Sequence, residues 1–301
     1  MHPITSRLVA IASIGPLLML GASLNFAVLD ILVKLLGPSF RVWDIAFYRF
    51  FASLLILIAL VGRHRNPFKG QSPKLMAVNG IISSLGFVAL ATSLRHINLS
   101  TTMVLFYSFP AFAALFSTLI FREKISKGEL LCVFVALAGV MVLVEFQLGG
   151  SFFGQMMGLL AGLAIGLTVA ITSKLREKDG SVVIYLYYCL VGTVVALPPF
   201  IAHPQVPKTT GEVTILVGII LSSLFAMLLM NKGLRYCRSW EGGLILTNEL
   251  VFTAIFGIAF LHEPFTWRFI CGGLLILGSV VALNLGIVQK PSHPPIATFD
   301  R

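Results

Sequence analysis

About 20 consecutive, mostly apolar residues are enough to cross a bilayer as an α-helix, and this chain is built almost entirely of such runs. They lie at roughly residues 9–35, 42–61, 75–95, 99–121, 128–146, 153–174, 182–202, 213–234, 240–261 and 266–288. The connections are short, the longest being the Arg63–Lys74 region, so no stretch is left for a soluble domain. Of the 301 residues, 57% are hydrophobic and only 11% charged, under half the charged share of an ordinary soluble domain. In lipid the backbone must satisfy its own polar groups, which leaves helices or closed barrels. Barrel strands alternate in polarity over about 10 residues, and these runs do not. The sequence therefore predicts an all-α membrane protein with ten transmembrane helices. The opening "MHPITSR" leads into a long apolar run without a small-residue cleavage site, so the first helix is expected to be retained.

The net charge of +10 raises the question of a nucleic-acid partner, and the placement of the basic residues answers it. Alternate connections are assigned to opposite sides. The side of the N-terminus then carries Arg7, Arg63, Arg65, Lys69, Lys74, Arg122, Lys124, Lys127, Lys174, Arg176, Lys178, Lys232, Arg235, Arg238, Lys290 and Arg301. The other side carries Lys34, Arg41, Arg95, Lys208 and Arg268. This is the positive-inside asymmetry, and it places both termini in the cytoplasm of a multi-pass inner-membrane protein. The basic charge is read as topology and contact with anionic headgroups of the bilayer, with no nucleic acid as partner. Cys132, Cys189, Cys237 and Cys271 form no CxxC pair and read as small packing residues.

A shift of 140 residues aligns the chain with itself. Lys34 falls on Lys174, Tyr48 on Tyr188, Leu94-Arg95 on Leu234-Arg235, and Glu123 on Glu263. One constant offset across four helices marks an internal repeat, with halves 1–147 and 152–301 joined at "QLGGSF". Five helices per half is an odd number, so the second half enters the membrane upside down. Two inverted five-helix repeats around a central cavity are the architecture of alternating-access transporters.

Three segments resemble EamA proteins. "AFYRFFASLLIL" (46–57) is similar to their second helix. "SFPAFAALFSTLIFREKISKGELLCVFVALAGVMVL" (108–143) is similar to their fourth-helix pattern of a proline, an Ala/Leu-rich run and then a loop Glu. "TNELVFTAIFGIAFLHEPFTWRFICGGLLILGSVVAL" (247–283) is similar to the ninth-helix counterpart. The chain is thus identified as resembling the EamA family of the drug/metabolite transporter superfamily across both halves. Where the ninth helix of that family often reads Glu-Pro, this chain has Glu249-Leu250, while Pro110 keeps its place in the first half. The resemblance implies helices one to four and six to nine around a cavity, with five and ten peripheral. It implies substrates among amino acids, other metabolites and toxic amphiphiles.

Glu249 lies about nine residues into its run, roughly 13 Å deep at 1.5 Å per residue. A charge at that depth costs about 2.5–3.5 kcal/mol, so it should face a cavity, a partner or a proton. Arg49, about seven residues from the outer end of the second run, is the other ion weighed inside the membrane. Two readings stay open: a structural Glu249–Arg49 pair, or direct contact with substrate or a coupling proton. Asn25, Ser83, Ser84, Tyr107, Ser108, Thr168 and Asn248 fall at similar depth as candidate lining groups, each alternatively a helix–helix hydrogen bond. Asn231 and Lys232 are candidates for an entrance, or an interfacial cap. Gly158, Gly162 and Gly166 form a stripe for close helix packing. Phe106, Tyr107 and Phe109 near Pro110 offer rings on which an aromatic or amphipathic solute could stack, or which serve the core. Glu123 and Glu263 are read as capping tight helix connections.

No Walker loop, metal-spaced cluster or catalytic triad occurs in the sequence, so neither an enzyme nor a cofactor is expected. The reading is a secondary transporter, an exporter of small organic solutes such as amino acids or related amphipathic metabolites, with Glu249 as the candidate for proton coupling. Alternatives are an uptake or exchange carrier and a multidrug exporter. A passive channel would need a continuous polar stripe, and a membrane-embedded enzyme a polar cluster at one interface.

Overall fold

The computed structural model describes residues 3–37, 40–61, 70–121, 127–143, 151–176, 178–233, 245–246, 248–263 and 267–284. Eleven helices carry these residues: α1 (Pro3–Leu35), α2 (Val42–Val61), α3 (Pro73–His96), α4 (Leu99–Phe106), α5 (Phe109–Phe121), α6 (Lys127–Leu143), α7 (Phe152–Arg176), α8 (Ser181–Ala202), α9 (Thr210–Gly233), α10 (Asn248–Leu261) and α11 (Trp267–Asn284). Among the described residues there is no strand. Among the described residues, seven segments are long and apolar enough to cross a membrane: Ile14–Leu35, Val42–Leu60, Pro73–His96, Leu99–Ile120, Phe152–Arg176, Ser181–Ala202 and Thr210–Met230. The described parts of α10 and α11 contribute shorter apolar stretches, and α6 has 17 residues. Large apolar side chains such as Leu17, Leu60, Leu119, Phe134, Phe225, Phe260 and Leu274 are exposed on the outside of the bundle. A bundle clad in such residues is suited to lipid, since soluble monomers rarely expose large apolar patches.

The fourth apolar run is one helix in the sequence reading and two in the structure. It stops at Phe106 and restarts at Phe109. Pro110 has no amide N–H to return to the turn before it, and proline disfavours helical geometry in the preceding residue. The junction is held by Tyr107 N to Met103 O at 2.8 Å and by Ser108 N to Leu105 O at 3.2 Å. Packing makes room for it. A Cβ on Gly162 would lie 3.0 Å from the carbonyl oxygens of both Leu105 and Phe106, and one on Gly166 would lie 2.8 Å from Phe109 O. The glycine stripe is thus a packing feature: it seats α7 against the broken helix.

The most extensive helix pairings all join the first 147 residues to the remainder: α3 with α7 and α8, α1 with α9 and α10, α2 with α8 and α9, α6 with α11, and α4–α5 with α7. One apolar core runs through the bundle, from Leu29 and Phe40 through Phe50, Phe87 and Leu105 to Leu186, Leu224 and Ile276. The two stretches interlock and do not form separate cores.

Polar connections fasten the two ends. At one end Gln71 N donates to Asp179 Oδ1 at 2.7 Å. At the other, Arg41 forks onto the Asp44 carboxylate at 3.0 and 3.1 Å and also donates to Pro199 O and His203 O. Arg41 N and the Tyr48 hydroxyl reach Gln205. Lys34, which closes α1, donates to Ile97 O at 2.6 Å, and Gly154, near the start of α7, abuts His96 and Ile97. The end of α1 and the start of α7 therefore share one end of the bundle, and the two helices run in opposite directions.

Candidate functional site

Glu249 sits in the first described turn of α10 and is only 8% exposed. The hydroxyl of Tyr107, the residue at which the fourth run breaks, lies 2.9 Å from Glu249 Oε2 and 2.9 Å from Leu246 O. A phenol has one proton to give. It donates to Glu249 when that group is a carboxylate. When Glu249 is protonated, the acid donates to the phenol oxygen and the phenol proton turns to Leu246 O. The break in the fourth run places Tyr107 where it senses the charge of Glu249.

Asp30, on α1, is 3% exposed and meets Glu249 in side-chain hydrogen-bond contact. Ionised carboxylates only accept hydrogen bonds, so the two carboxyls bond to each other only when one of them carries a proton. Among the described residues no N–H or hydroxyl donates to Asp30 Oδ2. Arg49, on α2, is 4% exposed. Its Nε donates to Ser223 Oγ on α9 at 2.7 Å. Its guanidinium lies 4.0 Å from the centre of the Phe87 ring, with Phe50 at 5.2 Å and Tyr188 at 6.0 Å. Such stacking supports a buried cation through the ring quadrupole. Nη1 has no partner among the described residues.

Of the two readings weighed for Glu249, direct pairing with Arg49 is not found: no ion pair joins these two described residues. Arg49 instead attracts Asp30, and Asp30 contacts Glu249. Five elements supply this polar centre: α1, α2, the α4–α5 junction, α9 and α10. Ionised throughout, it holds two negative charges and one positive; with one proton shared between the carboxyls, it is neutral. A buried site of this kind has room in its charge balance for one cation, either a proton or an ammonium group.

The remaining sequence candidates are dispersed. Thr168 shares a hydrogen bond of 3.0 Å with Ser83, and Asn79 reaches Thr172 at 3.2 Å, so these groups stitch α3 to α7. Asn25, Ser84 and Ser108 donate to their own backbone, at Gly21 O, Ile81 O and Leu105 O. Asn248 donates to Ile245 O at 2.8 Å and is the polar member of a cleft of about 510 Å³ lined otherwise by Pro16, Leu17, Leu20 and Ile245. Asn231 belongs to α9, but its side chain lies outside the described residues. Sequence reasoning passes over Asp30 and Ser223. The signal for Asp30 is present: it lies inside the first apolar run, where the rule that singles out Glu249 applies to it equally. Ser223 carries no such signal, because a serine in an apolar helix is commonplace and only folding brings it to Arg49.

Residues 13–145 and 152–285 each match the EamA-like transporter family. The pseudopaline exporter CntI of Pseudomonas aeruginosa is 27% identical over 271 residues, covering 90% of this chain and 95% of that protein. The S-adenosylmethionine uptake transporter of Rickettsia bellii is 21% identical over 227 residues, covering 75% of this chain and 78% of that protein. Solute carrier family 35 member G1 of Homo sapiens is 22% identical over 272 residues, covering 85% of this chain and 74% of that protein. A solved crystal structure with 17% identity superposes with a TM-score of 0.62 over 91% of this chain and 97% of that one, a likeness of fold.

Proposed function

The chain belongs to the EamA-like transporter family and is a secondary transporter of small solutes; from that premise we propose that it works by alternating access around the Asp30–Glu249–Tyr107 centre. The observation that carries this reading is the buried carboxyl contact between Asp30 and Glu249 on α1 and α10. Where several helices meet, it leaves the charge balance open to one cation. A carboxylate centre of that kind binds the ammonium of an amino acid or related amphipathic metabolite, or a coupling proton in its place. Asn248, the residue before Glu249, borders an apolar cleft that offers the apolar part of such a solute a surface.

The proposed architecture is ten membrane helices in two inverted repeats, 1–147 and 152–301, with α4 and α5 together forming the fourth. Three observations support it. The family matches twice along the chain. The opposed courses of α1 and α7 fit inversion. The helix pairings also exchange under the 140-residue shift: α3 with α7 answers α1 with α9, and α3 with α8 answers α2 with α9. The proposed setting is the inner membrane, with both termini cytoplasmic. The proposed direction is export, as the name of the Pseudomonas aeruginosa relative states for that protein; the uptake named for the Rickettsia bellii relative is the second reading.

Purified protein in liposomes tests the reading. Counterflow of radiolabelled amino acids and amphipathic amines should appear with wild type, and Glu249→Gln should lower it or abolish its pH dependence while inserting normally. Wild-type rates in the variant at every pH would remove Glu249 from the site. Preferred flux from the cytoplasmic face outward in oriented vesicles supports export.

A further inference from the structure

The Arg49 guanidinium is fastened on several sides and unmet on one. Its Nε donates to Ser223 Oγ on α9 at 2.7 Å. The Phe87 ring on α3 supports it at 4.0 Å from the ring centre, and Tyr188 on α8 is in side-chain hydrogen-bond contact with it. A guanidinium is planar and its donors form a rigid fork, so these contacts fix the direction of every N–H. Nη1 lies across the group from the Nε–H and therefore turns away from Ser223. Nη1 is buried and no acceptor among the described residues meets it. The residue is 4% exposed, so bulk solvent does not serve it. Buried polar groups are ordinarily paired, because a donor that gives up water without gaining an acceptor is costly.

Opposite charge lies nearby. Asp30 on α1 is attracted by Arg49, yet no ion pair joins the two, so their charged atoms stand more than about 4 Å apart. Helices α1 and α2 are not among the closely packed pairs; each packs on α3 and α9 instead. Asp30 Oδ2 accepts from no N–H or hydroxyl among the described residues. A donor on α2 thus lacks an acceptor, and an acceptor on α1 lacks such a donor. Each lies within the other's field and beyond its hydrogen bonds.

This arrangement occurs once in the chain and not once per repeat. The 140-residue shift carries Asp30 to Ala170 and Arg49 to Cys189, and it carries Glu249 back to Phe109. None of these counterparts bears a carboxylate or a cation, so the three charges form one site with a fixed polarity: carboxyls on α1 and α10, a guanidinium on α2.

That polarity sets what fits. A solute with an ammonium alone meets the carboxyls and leaves Nη1 unmet. A solute with a carboxylate alone meets Nη1 but adds a negative charge beside Asp30 and Glu249. A zwitterion serves both ends and brings no net charge, so the balance set by the shared proton is unchanged. In an α-amino acid both charges hang from one carbon, and one small head group presents them together.

We propose that Arg49 Nη1 binds the carboxylate of the solute while the Asp30 and Glu249 carboxyls bind its ammonium, so that the centre selects an amino-acid head group over amines and over organic acids. This rests on the reading of Glu249 as an ammonium site and adds the group that tells an amino acid from an amine. Ser223 is the positioning residue: its bond to Nε holds the fork so that Nη1 faces away from α9.

Binding tests this without relying on transport. Purified protein in detergent is heated with each standard amino acid and with the matching α-amide and decarboxylated amine, and dissociation constants are taken from the shift in melting temperature. At least one amino acid should bind roughly ten- to a hundredfold more tightly than its amide and its amine, the worth of one hydrogen bond between charged groups. Arg49→Gln should bring amino acid and amide to within about threefold of each other, with the amide bound much as before. Ser223→Ala keeps the charge but lets the fork turn, and it should shrink the same preference; if Arg49→Gln fails to accumulate, Ser223→Ala alone decides. A purely structural Arg49 would weaken amino acid and amide alike and keep their ratio, which overturns the proposal. A wild type that binds no amino acid better than its amide overturns it as well. Counterflow of the preferred amino acid in liposomes reports separately: its absence with the binding preference intact refutes the transport assignment and leaves the role of Arg49 standing.

Discussion

Glu249 costs about 2.5–3.5 kcal/mol at mid-membrane on insertion scales, and its surroundings show what offsets that cost. It receives a phenol at 2.9 Å and shares hydrogen-bond contact with Asp30, while Arg49 supplies the nearby positive charge. Each partner predicts a different loss. Asp30→Asn removes the second carboxyl but keeps the shape, so under the proposed proton coupling solute exchange in liposomes should lose most of its pH dependence while the protein still inserts. Retention of the full pH profile would show that Glu249 acts alone. Tyr107→Phe removes a hydroxyl that serves both Glu249 and Leu246 O. A buried hydrogen bond is worth about 0.5–1.5 kcal/mol, or more with a charged partner. The variant should unfold at lower temperature in detergent and transport more slowly. An unchanged melting temperature and rate would place the hydroxyl outside the site.

At the scale of elements, the broken fourth run and the glycine face of α7 are one device. At the break, Gly162 lets α7 lie directly against the carbonyls of Leu105 and Phe106. Gly162→Leu forces a side chain into that contact, and overpacking of this kind costs about 1–3 kcal/mol. Thermal unfolding in detergent should show a clear loss. Gly278→Ala, on α11, is the control: a Cβ there has nothing within 4 Å, and stability should be unchanged. Equal behaviour of the two variants would contradict the packing of α7 on the break.

Across the whole molecule, the interlocked pairings mean that neither half buries its apolar surface alone. The core of each stretch is completed by the other: α3 needs α7 and α8 as α1 needs α9 and α10. Residues 1–147 expressed without the remainder should therefore be degraded or aggregate, and co-expression with 152–301 should restore a folded complex measurable by co-purification. Stable accumulation of either half alone would show two self-sufficient domains. The basic asymmetry predicts the orientation of the whole. Reporter fusions at Lys290 and within the Arg63–Lys74 connection should both report cytoplasm, and an external signal from either would overturn the ten-span arrangement.

The apolar runs by themselves determined that the chain is helical and suited to a membrane, because bilayer thickness fixes the length of a span and lipid forbids unpaired backbone. The constant 140-residue offset likewise made a repeat legible, and the cost of a charge in hydrocarbon marked Glu249. What that charge touches was decided only by the tertiary structure. Asp30, Tyr107 and Glu249 are separated by 77 and 142 positions in sequence, and no local pattern specifies that they meet. Most of the hydroxyl and amide groups expected along one cavity turn instead to their own helix or to the α3–α7 seam, because a polar side chain in a low-dielectric core takes a nearby backbone acceptor when folding brings no better partner. Depth along a helix can be counted from sequence; the direction a side chain faces depends on which helices pack beside it, and that is a property of the assembled bundle.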